Sequence, residues 1–126
     1  INELIDNCLA KNQKRISAII NQNNFSDDDC ILILRTMLNK SKRIFKIKKE
    51  LNIDNNVDKA ISTYKPPIFW KDKEIVKTQL MNWSAYDIEN LIYKINDIEY
   101  LVKNNTMNTL NIVSDFIFGI SNKTNN

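Results

Sequence analysis

A single glycine, Gly119, serves all 126 residues of this chain, and that scarcity restricts its fold and chemistry more than any other feature. Tight β-hairpins, nucleophile elbows and phosphate-cradling loops all use glycine where the backbone turns sharply or must approach closely. Histidine is absent, which removes the commonest general base and the commonest metal ligand. Asp27 to Asp29 form the only acidic cluster, and three adjacent aspartates at a helix start are better explained by capping than by metal binding. The chain is therefore read as having no catalytic residues, no metal and no cofactor.

Residues 1–126 amount to one domain, long enough to bury roughly two thirds of the unfolded surface without a staple. Cys8 and Cys30 read as reduced thiols, with a disulfide the less favoured alternative. No signal peptide is evident, and no apolar run approaches the roughly 20 residues a spanning helix requires. A cytoplasmic location away from membranes is expected. The first residue is Ile1 rather than Met, so the chain reads as a fragment of something longer.

Hydrophobic spacing predicts an all-α fold, a single bundle of about five to seven unequal helices. Residues 1–10 place Leu4, Ile5, Cys8 and Leu9 on one side, and residues 11–22 place Ile16, Ile19 and Ile20 inward. Ser26 and Asp29 have the capping-box spacing and open a helix expected to reach Leu51. Shorter helices are expected over 57–64 and 71–82. The cleanest period follows a second capping-box pattern, Ser84 and Asp87, with Ile88, Leu91, Ile92, Ile95, Ile98 and Val102 on one face. After a break at 104–106, a last helix is expected from about Met107 to Ile120, then a frayed polar tail over 121–126.

Pro66 and Pro67 force an extended run past Ile68 and Phe69, so a helix begins near Trp70. Phe69, Trp70 and Trp83 read as core rings, with Trp83 set to staple the helix that Ser84 caps. The ordered set is Pro67 and Phe69, a basic residue at Lys71 or Lys73, Gln79 to Trp83 and Ser84, an Ile/Leu-rich helix with Asp87, then Glu99 and Lys103. Upstream stand Leu4 to Leu9 and Ile31 to Arg35. Together these resemble the C-terminal collar domain of the delta subunit of bacterial DNA polymerase III, part of the sliding-clamp loader. The resemblance covers nearly the whole chain, and its weight lies in the ordered set rather than in any one motif.

That resemblance implies an oligomerisation domain for DNA replication. Its expected partners are the collar domains of the clamp-loader ATPase (gamma/tau) and delta-prime subunits. The AAA+-like and clamp-binding modules lie in an N-terminal region absent from this chain, so neither ATP hydrolysis nor sliding-clamp contact is expected of it. Primer-template DNA lies near the inner side of such a collar, with the turn at Asn104 and Asn105 as an approach point that carries no aromatic ring.

Some surface features are read from the residues alone. Tyr86, Tyr93 and Tyr100 recur every seven residues opposite the Ile88 to Val102 stripe, as central packing on two sides or as a partner interface. Met107 and Phe118 point away from the last helix's main face, and Phe118 is expected as an exposed apolar contact. Lys42, Lys46 and Lys49 form one stripe, either a solvated face or a track along a phosphate backbone. The alternative function is thus a stand-alone basic helical nucleic-acid-binding module.

Overall fold

The computed structural model describes residues 1–122, and among these it contains seven α-helices, two 3₁₀ turns and no strand. The helices are α1 (Asn2–Leu9), α2 (Gln13–Gln22), α3 (Asp27–Leu51), α4 (Val57–Thr63), α5 (Lys73–Asn82), α6 (Ala85–Asn104) and α7 (Thr109–Asn122). The protein is an all-α bundle.

Local capping chemistry sets the starts. Ser26 Oγ accepts from the Asp29 N–H while the Asp29 carboxylate accepts from the Ser26 N–H, so α3 opens with both halves of a capping box. At α6 only the hydroxyl half forms, from the Asp87 N–H to Ser84 Oγ at 3.0 Å. Asn12 and Asn56 cap α2 and α4 in the same way through their side-chain oxygens. Each cap satisfies an N–H that the helix itself leaves without a partner.

The two long helices, α3 and α6, pack along each other and form the centre. Ile33, Met37, Ile44 and Ile47 from α3 meet a stripe of Ile88, Leu91, Ile95, Ile98 and Val102 on α6, all buried. Arg35 on α3 reaches Glu99 near the end of α6, whereas Lys40 reaches Asp6 of α1, whose C-terminal end abuts the start of α6. Moving along α6 therefore moves backward along α3, and the pair is antiparallel. α7 lies across α1, α3 and α6 and buries Val113, Phe116, Ile117 and Ile120.

Two expectations fail here. Phe69 and Trp70 are 57% and 69% exposed instead of core, because the Pro66–Pro67 segment turns the single residue Ile68 inward and leaves the Phe69 ring just before, and the Trp70 ring at the start of, the following 3₁₀ turn (Trp70–Asp72). The last helix starts at Thr109, after a 3₁₀ turn (Thr106–Asn108), and runs past Ile120. Ser121 is buried, and its hydroxyl donates to the Phe118 carbonyl. The rest of the expected tail, residues 123–126, lies outside the described residues.

Candidate interaction surfaces

The Gln79 to Trp83 segment joins α5 to the far end of the chain. Gln79 Nε2 donates to the Asp6 carbonyl at 3.0 Å, Asn82 Nδ2 to the Ala10 carbonyl at 2.8 Å, and the Trp83 indole N–H to the Leu9 carbonyl at 2.7 Å. The Asp6 carbonyl also accepts the Ala10 N–H, whereas the Leu9 and Ala10 carbonyls, at the end of α1, lack partners within the helix, and the Trp83 and Asn82 side chains supply them. Gln79 and Trp83 are buried while doing so. Pro67 is exposed, and Ser84 acts as a cap. Glu99 forms an ion pair with Lys103 one turn on, at 3.4 Å, and faces Arg35 at 4.0 Å, so it ties α6 to α3. The motif residues with contacts thus hold the scaffold together.

The outer face of α6 is open. Tyr86, Tyr93 and Tyr100 are 73%, 63% and 73% exposed, which rules out packing on both sides of this helix within the domain. A seven-residue step falls about 20° short of two turns, so the rings form a ridge about 21 Å long opposite the buried stripe. Met107, almost fully exposed, extends the ridge's apolar character past the end of α6. Phe118 does not belong to it: the ring is half-buried and packs on the core, because α7 is covered on more of its circumference than its main stripe implied.

Lys42, Lys46 and Lys49 are all exposed on the side of α3 away from the core. Lys46 Nζ lies 5.5 Å from the Tyr64 ring centroid and Lys49 Nζ 5.1 Å from that of Phe45. Asn104 and Asn105 sit elsewhere. With α3 and α6 antiparallel, the end of α6 lies beside the N-terminal part of α3, roughly 20 Å from the lysines at 1.5 Å per residue. Both asparagine side chains fold back, donating to the Tyr100 and Leu101 carbonyls at 3.0 Å each. The residues expected near DNA therefore do not form one surface.

A groove between α6 and α7, with a cavity volume of about 530 Å³, has no counterpart in the sequence reading. Trp83, Leu91, Phe116 and Ile120 supply its apolar floor, and Asp87, Lys94 and Asp115 its rims. Lys11 closes one end, with Nζ 4.3 Å from the Trp83 ring centroid. Lys11 carries the one positive φ among the described residues, 59°, in a turn where its N–H bonds to the Cys8 carbonyl and that of Asn12 to the Asn7 carbonyl. That is a Schellman motif, in which glycine is usual at the left-handed position. A lysine there costs about 1 kcal/mol. Gly119, within α7, lies on the same groove, and an added Cβ would meet nothing within 4 Å. Glycine inside a helix costs about 1 kcal/mol relative to alanine.

Burial pushes the Cys8 thiol up to about 12, and its Sγ lies 3.9 Å from the Ile117 carbonyl. Cys30 is also buried and free, its thiol raised by desolvation and then by Asp27 and Asp29. Among the described residues no helix is long and apolar enough to cross a membrane. No protein-family model matches the chain, and neither a curated protein nor a solved structure matches it significantly.

Proposed function

We propose that this domain is a non-catalytic assembly module, the collar domain of a clamp-loader delta subunit, which joins its neighbours through the outer face of α6. The observation that carries this reading is the exposed ridge of Tyr86, Tyr93 and Tyr100 on the central helix of the bundle. Tyrosine offers a large contact area with few rotors to freeze, and three in register on a rigid helix present a preorganised surface. The resemblance to the delta subunit supplies the partners: the collar domains of the ATPase and delta-prime subunits. The mechanism is static. Helix faces lose water against neighbours and fix the positions of whatever each collar carries.

Sedimentation velocity tests it, with the chain alone and mixed with the C-terminal domains of its own organism's clamp-loader ATPase and delta-prime subunits. A heavier species with Kd on the order of micromolar or tighter is expected. Separate monomers in every mixture would sink the assignment. Salt-sensitive DNA binding through Lys42, Lys46 and Lys49 would then be the reading to pursue.

A further inference from the structure

Two residues break local rules, and both do so on the α6–α7 groove. Lys11 occupies a backbone position that suits glycine, and Gly119 occupies a helix position that suits alanine. Exchanging the two residue types would favour both local conformations. What the present arrangement provides is a cation held over Trp83 at one end and a stretch of α7 wall with no side chain. Departures of this kind concentrate where a surface is used.

We infer that the groove is the seat of an amphipathic α-helix from a neighbouring protein. The groove's shape selects the occupant. Its walls are Asp87, Asn90, Leu91 and Lys94 on α6, spaced i, i+3, i+4, i+7, and Asp115, Phe116, Gly119 and Ile120 on α7. That is about two turns of wall on α6 and about one and a half on α7, a length over which a helix lays an apolar seam. The missing Cβ at Gly119 lets a third backbone approach closely, as small residues do where helices cross. The rims carry both signs, Asp87 and Lys94 on one wall and Asp115 on the other, and none of these three side chains has an ion-pair partner among the described residues. They complement a helix whose flanks carry bases opposite the aspartates and an acid opposite Lys94. Asn90 and Lys94 also lie on the α6 arc between the groove and the tyrosine ridge, so the two surfaces are continuous and one partner can cover both. In that respect the inference builds on the proposed assembly role, although the groove itself is tested without it.

The probe is a displayed library of 16-residue helical peptides with an apolar seam at i, i+3/i+4, i+7 and varied flanks, selected on the immobilised 126-residue chain. Enriched peptides are expected to bind with Kd below about 100 µM and to lose at least tenfold in affinity against Gly119→Leu, whose side chain fills the groove. Against Tyr93→Ala the same peptides should lose less than threefold. Circular dichroism and urea midpoints check that Gly119→Leu is folded, and Asp115→Lys, a surface substitution on the rim, should redirect selection toward acidic flanks. No enrichment, or peptides indifferent to both Gly119→Leu and Asp115→Lys, would overturn the inference. Failure of the sedimentation mixtures alone would overturn the assembly reading and leave the peptide result to stand or fall separately.

Discussion

The indole N–H of Trp83 donates to the carbonyl of Leu9 at 2.7 Å, joining positions 74 residues apart. One side chain thereby fixes the corner between α5 and α6 against the end of α1. Both atoms are out of water, so losing the donor leaves the Leu9 carbonyl without a partner in place of exchanging one bond for another.

Trp83→Phe retains much of the apolar volume and deletes the donor. It is expected to destabilise the domain by about 1–3 kcal/mol in urea unfolding. The same variant retains only the exposed Trp70, so its folded-state fluorescence should resemble that of unfolded protein. Wild-type stability in this variant would mean that the bond contributes nothing.

Asp6 and Lys40 pair at 2.7 Å with both side chains largely out of solvent, and Gln79 Nε2 sits 3.5 Å from the same carboxylate oxygen. Lys40→Met strands the carboxylate in that junction, so it should cost about 1–3 kcal/mol, more than an exposed pair would. In a double-mutant cycle, Asp6→Asn combined with Lys40→Met should cost less than the sum of the two single changes. Strict additivity would show that the two groups are not coupled.

Much of this architecture is legible in the residues. Ser26 and Asp29 mark the start of α3, the Ile88 to Val102 spacing fixes the buried side of α6, and both follow from interactions within a few residues along the chain. Phe69 and Trp70 mislead because ring size predicts burial while the rigid proline segment decides which side chain turns inward. Phe118 misleads for the opposite reason, since the width of α7's covered face depends on neighbours far away in sequence. The groove is invisible until α6 and α7 are brought together. Its only local trace is the lone glycine inside an otherwise helical stretch.

Alkaline pH should loosen the fold through Cys8. Its thiol, raised by burial to about 12 from an ordinary 9.0, stays protonated in the native state while the unfolded chain ionises. Stability from this group is fully present below pH 9.0 and is lost as pH rises through about 12, with an upper limit near 1.4 kcal/mol per pH unit in that window. Comparing urea midpoints of wild type and Cys8→Ala at pH 8 and pH 10.5 tests this. The variant should lose less between the two, and equal losses would contradict the assignment. Native Cys8 should also resist iodoacetamide at pH 8 until urea is added.

The basic stripe on α3 makes a quantitative statement about nucleic acid. Three lysines that each contact a phosphate would give a plot of log affinity against log salt with a slope of about −2.7. If the domain is a collar module, binding of the isolated chain to duplex DNA should be weak at physiological salt, and Lys46→Glu should leave assembly with its partners unchanged. A slope much steeper than about −2.7 with tight binding would mean that cations beyond Lys42, Lys46 and Lys49 engage DNA and that the nucleic-acid reading takes precedence.

Lys11 separates backbone strain from side-chain attraction. Lys11→Met keeps the Cβ in the left-handed region and removes the charge over Trp83, so it should destabilise by about 0.5–1 kcal/mol. Lys11→Gly removes the charge as well, but the turn now carries the residue the Schellman motif favours, which returns about 1 kcal/mol. The glycine variant should therefore be the more stable of the two by about that amount, measured as a difference in urea midpoint at constant slope. If the two variants unfold together, the positive φ at Lys11 costs nothing, and a lysine in that turn would need no explanation from the groove it faces.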